Sequence, residues 1–193
     1  MNNLQFGIAQ IGSKAARAIP RSMLLERTEL PGDAWKMRDQ RSFRIGIFGD
    51  KNEVARRARR AGGFFAIRSF EQDVSERWLW VEVIPYTSSS DAESRIPHLR
   101  DGLIPNSLAR VRVTRERIID PSKVPEVADY PFAFEQLTQG ELGSGTSRYL
   151  GGRVENVTFA IACSGPGEGW TWTEVASLAS LQKIKVSTVL ASE

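Results

Sequence analysis

Cysteine and histidine are almost absent. The 193-residue chain has one of each, Cys163 and His98. A single cysteine excludes an internal disulfide. A structural zinc site needs about four Cys, His or carboxylate ligands, so no metal and no other cofactor is expected. A histidine-based catalytic dyad would rest on His98 alone, far in sequence from Cys163. Long apolar runs are missing as well. None approaches the roughly 18 residues of a membrane-spanning helix. The first 19 residues show no charged start followed by a continuous apolar core, and no A-x-A-like cleavage site follows. Asn2 stands where myristoylation requires glycine. The expectation is a cytoplasmic protein, or an exported one if a leader preceded this sequence. Low cysteine use fits a reducing compartment and equally an exported protein without disulfides.

What is present reads as an ordinary globular chain, 41% hydrophobic and 25% charged. The net charge is +3, placed unevenly: +7 over residues 1–60 and −4 over the rest. Arginine outnumbers lysine 20 to 6. A GC-rich genome accounts for that bias, and anion recognition by guanidinium forks is the functional alternative.

Periodicity organises the chain into an α+β domain. Residues 1–29 form an N-terminal arm of uncertain order, and residues 30–193 a single domain. Trp35 to Arg38 and Ser42 to Phe48 predict two strands around Asp39-Gln40. A helix follows over 51–61, with Asp50 and Glu53 in capping-box spacing and Gly62-Gly63 ending it. Its Val54, Ala55, Ala58 and Ala61 share one face, and Arg56, Arg57, Arg59 and Arg60 fill the other. Phe64 to Phe70 and Trp78 to Ile84 form a hairpin. In the second strand Leu79, Val81 and Val83 oppose Trp78, Trp80, Glu82 and Ile84, which marks a central strand covered on both faces. A second helix over 89–103, with Ser90 and Glu93 in capping-box spacing, carries Pro97, which kinks it or delays its start. Further strands lie at Leu108 to Thr114, Pro131 to Thr138 and Tyr149 to Cys163. A helix over 172–187, capped by Thr171 or Thr173, has apolar residues around most of its circumference, including Leu181 and Ile184, and lies deep in the fold. Phe70-Glu71-Gln72 recurs as Phe134-Glu135-Gln136, which suggests an internal duplication.

The stretch from Gly152 to Ile161, with Gly152-Arg153-Val154-Glu155-Asn156-Val157 at its head, runs into a glycine-rich loop. The helix segment Val175-Ala176-Ser177-Leu178-Ala179-Ser180-Leu181-Gln182-Lys183-Ile184 follows. This ending resembles that of actinobacterial lipoprotein and sensor-type domains, which are similar to PsbP-like α/β/α sandwiches. Residues 30–35 and 86–92 are similar to early motifs of that family, so the resemblance spans about residues 30–190. It implies an antiparallel sheet with helices packed on it, and binding or sensing rather than catalysis. It transfers no catalytic residue. This chain has no lipobox and lacks the cysteine pairs of some members.

Local signals for chemistry are few. Ser164-Gly165-Pro166-Gly167-Glu168-Gly169 precedes a helix, as a phosphate cradle does, but lacks the Lys-Ser/Thr of a P-loop and the G-x-G-x-x-G spacing. It reads as a connection, and Gly143-Ser144-Gly145-Thr146-Ser147 reads as a loop. Cys163 reads as a structural core residue and His98 as a solvent-facing one. Asn156-Val157-Thr158 is a chance sequon within a strand. Trp78, Trp80, Trp170 and Trp172 are candidates for an aromatic surface or cleft. Arg56, Arg57, Arg59 and Arg60 are candidates for an anionic site: a protein partner or acidic ligand is preferred there over nucleic acid, since no nucleic-acid motif accompanies them. The preferred function is a non-catalytic binding or sensor-like domain. The alternative is a small cofactor-independent enzyme of the dimeric α+β-barrel type, because residues 42–114 also fit a ferredoxin-like order of elements.

Overall fold

The computed structural model describes residues 19–32, 35–44, 53–60, 63–72, 75–99, 112–140 and 143–192. Alternating apolar positions build seven strands: β1 Trp35–Arg44, β2 Phe64–Gln72, β3 Arg77–Pro85, β4 Arg112–Ile118, β5 Phe132–Gly140, β6 Gly143–Val154 and β7 Val157–Pro166. They form one sheet in the order β1-β2-β3-β7-β6-β5-β4. Every neighbouring pair is antiparallel. Two meanders, β1–β3 and β4–β7, are thus joined along the β3–β7 seam.

Helices cover both faces. Helix α3 (Trp172–Ser192) packs on one face with the segment Met23-Leu24-Leu25. The opposite face carries α1 (Glu53–Arg60) and α2 (Ser89–Arg95), the latter followed by a 3-10 turn, Ile96–His98. Leu79, Val81 and Val83 of β3 and Val157, Phe159, Ile161 and Cys163 of β7 share one core with the buried residues of α3. Each large apolar side chain so buried contributes about 1.5–3 kcal/mol.

Several expectations are corrected. Residues 35–44 are one strand, not two. A bulge between Met37 and Asp39 absorbs the irregularity at Asp39-Gln40 without a turn, and residues 45–48 lie outside the described residues. The N-terminal arm is packed from Ile19 onward, with Met23, Leu24 and Leu25 in the core. Helix α2 is shorter than expected. It ends at Arg95, where Pro97 leads the chain into the 3-10 turn, and Ser88 caps it by accepting the Asp91 N–H at 3.1 Å. The fourth strand runs on to Ile118, while residues 101–111 are outside the described set, as is the Asp50 cap. Helix α3 is not deep. Leu181 and Ile184 are exposed, and the buried stripe is Val175, Leu178, Ala179, Gln182 and Val186. The repeated tripeptides do not match in orientation, since Phe70 faces α3 and Phe134 the other side. A ferredoxin-like unit over 42–114 is also excluded as an isolated sheet, because β4 lies at the far edge from β1.

Candidate functional site

The two faces of the sheet differ chemically. Under α3 the central strands are apolar. On the face that carries α1 and α2, one cross-strand row reads Glu116, Gln136, Ser147, Ser164, Trp78, Glu71, Lys36 from edge to edge. Within it Gln136 Nε2 donates to Glu116 Oε1 at 2.8 Å, and the Ser147 and Ser164 hydroxyls are 2.7 Å apart. From the next row, Tyr149 Oη donates to Gln136 Oε1 at 2.8 Å. Burial pushes the Tyr149 phenol up to about 12.

Four positions along β3 from Trp78 stands Glu82, 4% exposed and flanked by Ile67 and Ala160. Burial pushes its carboxyl up to about 7, and no cation or hydrogen-bond donor among the described residues offsets this. Beside it on the same face, Trp80 Nε1 is buried without a hydrogen-bond partner, and the buried Thr158 hydroxyl has the Tyr86 phenol beside it. Thr158 is 0% exposed. Tyr86 lies at the end of β3, its phenol pushed up to about 12 by burial and by the nearby Glu82 carboxyl, and moderated by Arg95 and a hydrogen bond with Thr158. Its backbone is fixed to the β6–β7 turn: Tyr86 N–H donates to Asn156 O at 2.8 Å, and Asn156 Nδ2 to Tyr86 O at 2.6 Å. Asn156 is thus a buried bracket, which agrees with the chance reading of its sequon.

The cover over this region is held by an ion pair. Arg57 of α1 donates to Asp91 of α2, which also accepts from the Thr87 hydroxyl. Burial opposes ionisation of Asp91, but these hydrogen bonds outweigh it and its carboxyl sits below the usual range. Leu99 lies so close to β6 that a Cβ on Gly151 would come within 2.9 Å of its Cδ1. Glycine is required there by contact, not by backbone angle.

The arginines of α1 are exposed at Arg56, Arg57 and Arg60, while the Arg59 side chain lies outside the described set. Two of them already have acidic partners, Arg56 with Glu53 at 2.8 Å and Arg57 with Asp91. The four tryptophans do not converge. Trp78, 47% exposed, and Trp80 share the α1/α2 face. Trp170 is buried against α3, stacked on Trp35 at 5.8 Å with the Arg77 guanidinium 4.7 Å above its ring. Trp172 lies under Arg148 at 5.5 Å. The glycine loop before α3 is closed on itself. Arg77 and Arg148 hold the carbonyls of Gly169 and Glu168 at 2.6 and 2.9 Å, and the Gly167 and Gly169 N–H groups donate to Ser144 O and Pro166 O. Glu174 fills the helix N-terminus by accepting the Thr171 N–H at 2.8 Å, so no anion cradle exists there. Cys163 is core, its thiol pushed far up by burial, while His98 is on the opposite face.

The missed residues are Glu82 and Thr158. Their signal was a lone carboxylate within Trp80-Val81-Glu82-Val83-Ile84, opposite a strand whose same-face neighbours are alanines.

The sequence matches no protein-family model, and no curated protein matches it at a significant level. Solved structures do. The extracellular domain of PknH from Mycobacterium tuberculosis superposes with a TM-score of 0.50 over 97% of both chains at 11% identity. An uncharacterized protein from Mycobacterium smegmatis, the Rv0999 ortholog, gives 0.40 at 12% identity, covering 94% of this chain and 98% of that one. The first likeness is one of fold. Among the described residues no helix is long and apolar enough to cross a membrane.

Proposed function

We propose that the chain is a non-catalytic binding or sensor-like domain, a single PsbP-like α/β/α sandwich whose small ligand sits on the α1/α2 face around Glu82. The observation that carries this is the buried, unpartnered Trp80 Nε1, beside the Glu82 carboxyl that no cation among the described residues offsets. Each unmet group costs about 1–3 kcal/mol. Their place on the central strand β3 suits a bound ligand. A binding role is favoured over catalysis because Cys163 is inert in the core and His98 lies across the sheet from it. The fold likeness to an extracellular domain supports work outside the cytoplasm.

The test is a screen of small polar compounds by thermal stability, run in parallel on the wild type and Thr158→Val. A compound that raises the melting temperature of the wild type but not of the variant supports the site. Turnover of a compound that is lost in Glu82→Gln would make the protein an enzyme and overturn the reading.

A further inference from the structure

The two edges of the sheet differ in how their charges are met. At the β1 edge the arginines are answered within the chain. Arg38 pairs with Glu71, and Arg41 with Asp39 at 2.7 Å. Arg21 of the N-terminal segment donates to Ser42 Oγ at 2.7 Å. At the β4 edge the charges are only partly answered. We propose that β4 is a docking strand for an extended acidic segment of a partner protein, which adds to the seven-stranded sheet beyond it. Glu82 lies on β3, with β7, β6 and β5 between, so this surface does not depend on the ligand site.

Pairing with β5 uses one side of β4, and among the described residues no strand takes the other. Such an edge presents unpaired N–H and C=O groups, a template for an added strand. Residues 113–118 are all exposed. Their side chains alternate in a way a partner can read. On the α3 face stand Arg115 and Arg117, opposite Leu137 and Glu135. On the α1/α2 face stand Val113, Glu116 and Ile118, opposite Thr138, Gln136 and Phe134. A bulge at Thr114, whose hydroxyl donates to Leu137 O at 3.2 Å, brings Val113 onto the same face as the other two. Ile118 is 77% exposed and Val113 38%.

Charge selects the occupant. Glu135 is shared, pairing with Arg117 at 2.8 Å and with Arg148 at 2.9 Å. Arg115 has no carboxylate partner among the described residues. The α3 side of this edge therefore carries an excess of positive charge. Charged edges commonly keep other strands away, and this one repels a second copy. Arg115 and Arg117 share a face, so an antiparallel pairing of two β4 strands sets arginine against arginine, which destabilises the pair. The same side chains attract an acidic strand. Glu116 is already engaged by Gln136 at 2.8 Å, which suits a neutral polar residue opposite it. The segment that fits reads apolar, acidic, polar, acidic, apolar. Its acidic residues meet Arg115 and Arg117, and its apolar residues cover Val113 and Ile118. A free phosphate would meet the arginines but leave both apolar side chains in water.

The test is a blocked peptide with the core valine–glutamate–threonine–glutamate–valine. This core reads alike in both directions and so suits parallel or antiparallel addition. It is titrated into the isotopically labelled full chain, and backbone amide shifts are followed by NMR. Shifts should centre on residues 113–118. Arg115→Glu should weaken binding about tenfold, and Ile118→Thr should weaken it too. A peptide with lysine in place of glutamate should prefer Arg115→Glu to the wild type. Two further peptides carry N-methyl groups, one on the glutamate amides and one on the valine and threonine amides. Alternate amides point to opposite edges of a strand, so one methylated peptide should bind and the other should not. Equal binding of both would show ionic attraction without strand addition and overturn the proposal. Shifts centred on Arg56, Arg57 and Arg60 would also overturn it. So would a dimer of the chain that Arg115→Glu dissolves, since the occupant would then be a second copy.

Discussion

Gln182, wholly buried on α3, accepts the backbone N–H of Leu25 at 3.1 Å, across 157 positions of sequence. Its Nε2 also donates to Met23 O at 2.6 Å. One side-chain amide thus satisfies a buried donor and acceptor of a segment that belongs to no strand. Arg68 meets the same segment from β2, donating to Leu25 O at 2.5 Å and pairing with Glu26 at 2.9 Å.

Replacing Gln182 with leucine leaves two buried backbone groups unpaired. The expected loss is about 2–4 kcal/mol, read as a lower urea midpoint. Limited proteolysis should cut first near residues 19–30. Cleavage elsewhere, with unchanged stability, would show that the amide bracket is dispensable.

Glu82 sets a pH dependence of stability. Its carboxyl holds a proton more tightly when folded than when unfolded, at about 7 against 4.5. Stability from this group is therefore complete below about 4.5, declines as pH rises to about 7, and is flat above. The full change is about 3 kcal/mol. Glu82→Gln should remove this decline and be more stable than the wild type at neutral pH, as denaturation curves at several pH values will show.

Arg57 and Asp91 couple α1 to α2 unequally. Arg57 is half exposed, so Arg57→Ala should cost little. Asp91→Ala also loses the Thr87 hydrogen bond and leaves Arg57 without its acceptor, and should cost about 1–3 kcal/mol. Equal losses in thermal melts would contradict this division. The Asp91 contribution is present at neutral pH and lost as pH falls through its lowered range.

Gly169 closes the turn before α3 at φ +58, where an added Cβ would meet Gly165 Cα at 3.1 Å. Gly169→Ala combines backbone strain with that contact and should cost about 1–3 kcal/mol. Hydrogen exchange should rise first in the loop and in the first turn of α3.

Elements governed by simple alternation or by a capping box were readable in the chain. β3, β7 and the start of α3 are examples, since each depends on neighbours within a few residues. β1 was not, because a bulge keeps one strand continuous through polar residues that look like a turn. The packing of Met23, Leu24 and Leu25 depends on Gln182 and Arg68, and no local period encodes such distant hydrogen bonds. The apolar face of α3 is narrower than its composition implies because Leu181 and Ile184 fall off the stripe that meets the sheet. Trp170 and Trp172 could not be told from Trp78 and Trp80 by type, since the face of the sheet decides their surroundings. For the candidate site, the orientation of Glu82 is legible from its strand; its lack of a cation among the described residues depends on the neighbouring strand and helix.

The β3–β7 seam has a consequence for how the chain is made. Until residues 157–166 leave the ribosome, β3 has no partner on one side, and its Trp78-Leu79-Trp80-Val81 edge is open to pairing with other chains. The first meander is complete early in synthesis but waits for about the last fifth of the chain to close it. Such long-range closure is slow. Truncation before β7 should therefore yield aggregates, and full-length yield should depend on holding chaperones in the interval.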